Sequence, residues 1–168
     1  MNNRPLVLLD VDGVINDFER VGPFTGLWDN EAVQSHGYWV SIPDYMPRLI
    51  QDICQVSEVH WCTTWRHRAN DEIASYLGID QLPVVDDGTT NRYVDWKAAA
   101  AHDLAAQALE AGRRVLWIED FYGHLPLTEM PEGVEYLDTA DNHLGPVLQV
   151  EYLPAWLEEL LLTASIDN

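Results

Sequence analysis

Residues 6–9 read LVLL, an apolar run bounded by Pro5 on one side and Asp10 on the other. A run this short and this apolar is typical of a strand that is buried on both faces of a parallel sheet. Two carboxylates, Asp10 and Asp12, follow it directly. Because a buried carboxylate is costly unless a cation or a hydrogen-bond donor meets it, this segment predicts a strand with a polar site at its end.

Similar apolar runs recur along the chain and alternate with helical patterns. We predict further strands near residues 56–61, 82–85, 115–118 and 134–137, and helices over residues 44–53, 70–77, 95–111 and 154–162. Alternating strands and helices indicate right-handed βα units and a parallel sheet covered on both faces. We therefore expect an α/β fold, a Rossmann-like three-layer sandwich with a central, mostly parallel five-stranded sheet. One domain over residues 1–168 is expected, with an irregular insertion at about residues 18–43.

Acidic residues follow two of the predicted strands. Asp10 and Asp12 follow the first, and in extended backbone residues two apart face the same way, so we expect both carboxylates to enter one crevice. Glu119 and Asp120 follow the run at residues 115–118. If these strands are neighbours, the acids converge and their repulsion must be offset by a cation or by protonation. The oxygen donors predict Mg²⁺, with Asp10, Asp12, Glu119 and Asp120 as candidate ligands.

Residues suited to holding a phosphate lie at the other predicted strand ends. The second run leads into Thr63 and Thr64, and Lys97 lies near the beginning of an alanine-rich helix. A hydroxyl donor and an ammonium group opposite a metal can neutralise the charge of a tetrahedral phosphoryl group. Either threonine could supply the hydroxyl, and Thr63 is nearer the strand end.

In this order, DxD, threonine, lysine and an acidic pair resemble the motifs of the haloacid dehalogenase-like (HAD) phosphohydrolase superfamily. The resemblance covers residues 6 to about 120, and DVDGV at 10–14 is its most specific part. It implies that Asp10 attacks phosphorus and forms an aspartyl-phosphate, and that Asp12 protonates the leaving oxygen and later activates water. It also implies that Thr63 and Lys97 contact the phosphoryl group.

For the acidic pair, the resemblance implies that Asp120 binds the metal directly and that Glu119 does so directly or through water. The intervals between the motifs leave no room for a large cap domain, so a capless member is expected. The stretch WCTTWRHRAN at residues 61–70 is similar to the corresponding region of small capless HAD domains of RNA-repair proteins.

The expected activity is therefore that of a Mg²⁺-dependent phosphatase acting on a phosphomonoester, with a nucleotide or polynucleotide end as one option. A small-metabolite phosphatase and a non-catalytic metal-binding interaction module on the same fold are the alternatives. Arg66, Arg68 and Trp65 are weaker candidates for substrate contacts. For the two arginines, surface charge is the favoured interpretation, with phosphate or substrate contact as the functional one. The tryptophans are expected mostly in the core, with Trp28, Trp39 and Trp65 as candidates for stacking on a base or sugar.

Composition limits the partners. With 28 acidic residues against 9 basic ones, the formal net charge is -19, which opposes non-specific binding to nucleic acid or to anionic membranes. The sequence shows neither a membrane-spanning apolar stretch nor a signal peptide, so we expect a cytoplasmic protein. Cys54 and Cys62 lack metal-binding spacing and are expected to be small buried hydrophobic residues and free thiols, not a disulfide or a zinc site.

Overall fold

The computed structural model describes residues 3–17, 33–35, 38–89, 96–121, 129–140 and 147–166. Within these residues, the main sheet contains four strands: β1 (Leu6–Leu9), β4 (Glu58–Trp61), β5 (Val115–Glu119) and β6 (Val134–Asp138). Their order is β4-β1-β5-β6, and every pairing is parallel. The α/β class and the parallel sheet are therefore confirmed, and the order is consistent with a Rossmann-like arrangement.

The prediction of a fifth strand at residues 82–85 is wrong. Val84 makes only an isolated bridge to Trp61. The side chain of Asn70 captures the neighbouring backbone, since its Oδ1 accepts the N–H of Leu82 at 2.8 Å and its Nδ2 donates to the carbonyl of Leu82 at 2.8 Å. Pro83 has no N–H to contribute to a ladder. This segment therefore runs beside β4 without extending the sheet.

Helices cover both faces of the sheet. On one face, Val7 and Leu9 pack into a core cluster with residues of α1 (Met46–Val56), α2 (Ser75–Leu77) and α4 (Ala155–Ile166). On the other, Leu6 and Leu8 pack against the alanines of α3 (Trp96–Glu110). The β1 side chains are fully buried, as its apolar run predicted. Each buried leucine contributes roughly 1.5–3 kcal/mol relative to an exposed one.

Two predicted regions take forms that the sequence did not indicate. The helix expected over residues 70–77 begins as a π-helical segment, Ala69–Ala74, and continues as α2. Within the insertion expected to be irregular, β2 (Val33–Ser35) and β3 (Tyr38–Val40) form an antiparallel pair. The rest of that insertion between residues 18 and 37 lies outside the described residues, as does Trp28.

Two further expectations concern the chain as a whole. Across the described ranges, every helix is too short or too polar to cross a lipid bilayer. Cys54 and Cys62 are both free thiols, as expected, and Cys62 is buried beside the polar end of β1. Its backbone N–H donates to the carbonyl of Leu9 at 2.9 Å, which fixes the chain after β4 against the end of β1.

Candidate functional site

Three carboxylates meet where β1 and β5 end. The strands pair with Leu9 opposite Ile118, and the N–H of Asp10 donates to the carbonyl of Ile118 at 3.1 Å. One oxygen from each of Asp10, Glu119 and Asp120 lies within 4.8 Å of the others. The parallel register brings them together, because the carboxyl ends of neighbouring strands share one edge of the sheet. We call these three residues the acidic cluster.

Lys97 lies inside this cluster. Its side chain is 2 % exposed, and its Nζ is 2.8 Å from each carboxylate oxygen of Glu119 and 3.2 Å from Oδ1 of Asp10. Burial disfavours the charged lysine, but the carboxylates of Asp10 and Glu119 outweigh it and raise the pKa of Lys97 above its usual value. Helix α3 thus delivers an ammonium group to the centre of the acids.

Glu119 is one of the three acids that could hold a metal ion, and it is also paired with Lys97. Both of its oxygens accept from Lys97, and its Oε2 also lies 3.2 Å from the indole nitrogen of Trp117, which donates to it. A carboxylate with both oxygens engaged by an ammonium group is a weak metal ligand. This arrangement favours orientation of Lys97 over direct metal binding by Glu119.

Asp120 is the least enclosed member of the acidic cluster. Its partial burial, with a further contribution from the charge of Asp10, raises its pKa from 3.8 to about 7. Gly13 lies directly against it in a left-handed conformation with φ +73°, and a Cβ on Gly13 would fall 2.3 Å from Oδ2 of Asp120. Only glycine therefore allows the loop after β1 to approach this carboxylate so closely.

Asp12 lies beside the acidic cluster but is not one of its members. β1 ends at Leu9, and the N–H groups of Ile15 and Asn16 both donate to the carbonyl of Val11 at 2.8 Å, so Asp12 lies in a tight turn and not in the extended backbone that the sequence predicted. After burial and its hydrogen bonds, the nearby charges of Asp10 and Lys97 also act on the pKa of Asp12. The three acids whose oxygens group together do not include it.

The carboxylate of Asp12 has neutral hydrogen-bond partners instead. Oδ2 accepts from the indole N–H of Trp65 at 2.8 Å, and Oδ1 accepts from Nδ2 of Asn16 at 2.9 Å. Burial raises the pKa of Asp12, and the two hydrogen bonds limit that rise. This environment suits a carboxyl group that exchanges a proton.

The structure distinguishes the two candidate threonines. Thr63 is fully buried, and its hydroxyl oxygen accepts the backbone N–H of Trp65 at 3.3 Å. Accepting that bond leaves the hydroxyl hydrogen available as a donor. Thr64 is only half-buried. Because β4 is the neighbour of β1, this geometry favours Thr63 as the phosphate-binding hydroxyl.

The weaker substrate-binding candidates all have protein partners. Arg66 pairs with Asp86 and Asp87, and its guanidinium lies 4.0 Å from the ring centre of Trp96. Arg68 pairs with Glu72 at 2.9 Å. Carboxylates thus already occupy both guanidinium groups, which favours structural roles for them. Trp65 is buried, so its assignment to stacking on a base loses support.

Sequence reasoning missed two residues that shape the site. The hydroxyl of Thr139, just after β6, donates to the carbonyl of Gly13 at 2.8 Å, and its N–H donates to the carbonyl of Glu119 at 3.0 Å. Asn16 holds Asp12 and also accepts the N–H of Ser41 through Oδ1 at 2.8 Å. A strand-end threonine and a turn asparagine were the available signals, but both residue types are common at such positions.

Comparisons with protein-family models, with curated proteins and with solved structures found no match to this chain.

Proposed function

We propose that this protein is a Mg²⁺-dependent phosphohydrolase of the HAD type that cleaves phosphomonoesters through an aspartyl-phosphate on Asp10. The observation that carries the proposal is the placement of Asp10. Its carboxylate lies at the end of a buried strand, with the ammonium group of Lys97 at 3.2 Å and Asp120 beside it. A carboxylate nucleophile next to a fixed cation is suited to attack on an anionic ester, because the cation offsets the repulsion.

The acids that remain available fit a hard divalent cation. Asp10 and Asp120 each offer a carboxylate oxygen, and few protein carboxylates suffice for Mg²⁺ because it retains several waters. We assign Asp10, Asp120 and the backbone carbonyl of Asp12 to the metal, with Glu119 reserved for Lys97. When bound, Mg²⁺ would neutralise the charge of the phosphoryl group.

The proposed reaction has two steps. In the first, a carboxylate oxygen of Asp10 forms a bond to phosphorus as the bond to the leaving oxygen breaks, and Asp12 donates its proton to that oxygen. In the second, Asp12 takes a proton from water while the water oxygen attacks phosphorus. The bond between phosphorus and Asp10 then breaks, which releases inorganic phosphate and restores both aspartates.

Lys97 and Thr63 serve the phosphoryl group in this scheme. Lys97 supplies charge, held in place by Glu119, and the Thr63 hydroxyl donates a hydrogen bond. Phosphomonoesters, including nucleotides and polynucleotide ends, are the proposed substrate class. The net charge of -19 opposes long-range attraction of a long polyanion, which favours small esters or chain ends over internal nucleic-acid sites.

The test is Mg²⁺-dependent release of phosphate from an aryl phosphate and from a panel of nucleotides and sugar phosphates. We expect Asp10→Asn to lower kcat by about a thousand-fold or more, because the amide cannot act as nucleophile. Asp52→Asn is the matched control, because it makes the same substitution at an aspartate outside the proposed site. Asp52 pairs with the exposed Arg48. It should retain the activity of the parent protein.

Two outcomes would contradict the proposal. Equal activity of the parent protein and Asp10→Asn would remove Asp10 as nucleophile. A folded parent protein that is inactive on every ester, with and without Mg²⁺, would instead favour a non-catalytic module. Circular dichroism and thermal unfolding of both variants establish that the comparison is made between folded proteins.

A further inference from the structure

Trp65 is buried, so its predicted role as a substrate contact does not explain its position. The turn after β4 begins at Thr63, whose hydroxyl accepts the N–H of Trp65, and Arg66 adopts a left-handed conformation with φ 51°. The guanidinium of Arg68 lies over the indole ring of Trp65, 5.4 Å from the ring centre. The turn that presents the phosphate-binding hydroxyl thus also fixes the direction of the indole.

The indole N–H is directed at Asp12. Trp65 is 6 % exposed, and its Nε1 donates to Oδ2 of Asp12 at 2.8 Å. Asn16 donates to the other oxygen at 2.9 Å. Two donors on opposite oxygens fix both the plane and the rotation of a carboxylate, whereas a single donor leaves it free to pivot. Each oxygen keeps a second lone-pair direction for a proton or for a substrate oxygen.

The type of donor matters as much as its position. Asp10 faces the ammonium group of Lys97 at 3.2 Å, whereas both hydrogen-bond donors to Asp12 are uncharged N–H groups. Uncharged N–H groups orient a carboxyl group without placing a full charge beside it. An indole is also rigid and buried here, so it orders Asp12 with little freedom of its own.

We propose that Trp65 is a positioning residue whose indole N–H holds the Asp12 carboxyl group in the orientation needed to pass a proton to the leaving oxygen. This inference rests on the proposed phosphohydrolase function. Trp65 itself does not touch the reacting atoms. The WCTTWR segment thereby contributes twice to the site, with the hydroxyl of Thr63 for the phosphoryl group and the indole of Trp65 for the proton donor.

Trp65→Phe tests the proposal, because it removes the N–H and keeps an aromatic ring. The variant is assayed with p-nitrophenyl phosphate, whose leaving group departs without a proton, and with glycerol 2-phosphate, whose alkoxide needs one. We expect kcat/KM for glycerol 2-phosphate to fall about ten-fold or more, and that for p-nitrophenyl phosphate to fall less than about three-fold. The ratio kcat/KM reports the first chemical step, before the aspartyl-phosphate is hydrolysed.

Trp61→Phe is the matched control. Trp61 is also buried, and its indole donates at 2.9 Å to Asn70, which lies outside the site. This variant should lose a comparable hydrogen bond without changing the ratio between the two substrates. Equal losses on both substrates in Trp65→Phe, or no loss on either, would overturn the positioning role while leaving the phosphohydrolase function intact. A folded parent protein that is inactive on these two esters and on the whole panel of phosphomonoesters would overturn the function itself.

A second measurement does not require Trp65→Phe to fold. In the parent protein, the indole proton of Trp65 should resonate downfield by NMR, and Asp12→Ala should move it upfield because its acceptor is gone. The indole proton of Trp61 should stay in place. A Trp65 resonance that is identical in the parent protein and Asp12→Ala would show that the hydrogen bond is absent, and the proposal would fail.

Discussion

Asp10 and Asp12 are the same residue type, two positions apart, yet they are held in opposite ways. Asp10 lies at the end of β1 against a buried ammonium group, and Asp12 lies within the turn that follows, against an indole and an amide. In the proposed reaction, this difference would give two different roles to identical side chains. A cation lies beside the proposed nucleophile, and uncharged donors lie beside the proposed proton donor.

The largest expected effect is a loss of stability on replacement of Lys97, the cationic partner of Asp10. Lys97→Met leaves Asp10 and Glu119 buried without their cation, so we expect a loss of about 3–5 kcal/mol in the free energy of unfolding. Urea denaturation measures it. Trp65→Phe, which removes only a neutral donor, should cost about 1–3 kcal/mol.

A double-mutant cycle sharpens this result. Adding Glu119→Gln to Lys97→Met removes one of the two uncompensated charges, so the double variant should be more stable than the sum of the single losses by about 1–3 kcal/mol. Strict additivity would mean that Lys97 and Glu119 do not act as a pair. A Lys97→Met variant as stable as the parent protein would show that the ammonium group does not hold the acids.

A loss of stability of intermediate size is expected at Gly13, which lies in the loop that carries Asp12 and packs against Asp120. Gly13→Ala forces a side chain into the left-handed region and against Asp120. Gly112→Ala is the matched control, because Gly112 has φ +74° and nothing within 4 Å of its Cβ position. Gly112→Ala should cost about 1 kcal/mol, and Gly13→Ala at least about 1 kcal/mol more.

The two glycine variants should also differ in function. Displacement of Asp120 in Gly13→Ala should weaken Mg²⁺ binding, measured by the metal concentration that gives half-maximal activity. Gly112→Ala should leave that concentration unchanged. Equal stability losses and equal metal dependence in the two variants would mean that contact with Gly13 does not position Asp120.

The smallest expected effect is a pH dependence that arises from Asp120. Because its pKa is about 7 in the folded protein and near 3.8 in the unfolded chain, the folded protein holds a proton that the unfolded chain loses between these values. The stabilisation that comes from this proton on Asp120 is fully present below pH 3.8 and is lost as the pH rises through 7. In EDTA, the free energy of unfolding should therefore decrease from pH 5.5 to pH 8.

Asp120→Asn isolates this contribution, because the amide does not titrate. The difference in stability between Asp120→Asn and the parent protein should change with pH in the metal-free proteins. Stabilisation of the parent protein by Mg²⁺ should be greater at pH 8 than at pH 5.5, since the metal binds the carboxylate. A difference that stays constant across this range would assign the pH dependence to other groups.

Much of the sheet could be predicted because its strands are short, apolar and bounded. The runs that became β1, β5 and β6 each end in an acid, and the parallel arrangement followed from the helices between them. The segment at residues 82–85 is also apolar but makes only an isolated bridge to β4, because Asn70 takes both backbone groups of Leu82 and Pro83 has no N–H. The proline is visible in the sequence, whereas the contact with Asn70 is not.

The residues of the candidate site were easier to predict from the sequence than the directions of their side chains. Strand ends placed Asp10, Glu119 and Asp120 at one edge, and the structure brings these three together. The partners of Glu119 and Asp12 depended on the turn after Leu9 and on the approach of α3. Such directions are set by tertiary packing, which spacing along the chain does not encode.

The hydrogen bond from Thr139 to Gly13 joins residues that are 126 positions apart. The loop that carries Asp12 therefore gains one of its supports only after the chain has been synthesised beyond β6. A nascent chain that stops short of β6 would already contain every proposed catalytic side chain but lack the strand that secures their loop. Biosynthesis would then delay any reactivity of the aspartates until the last part of the sheet is in place.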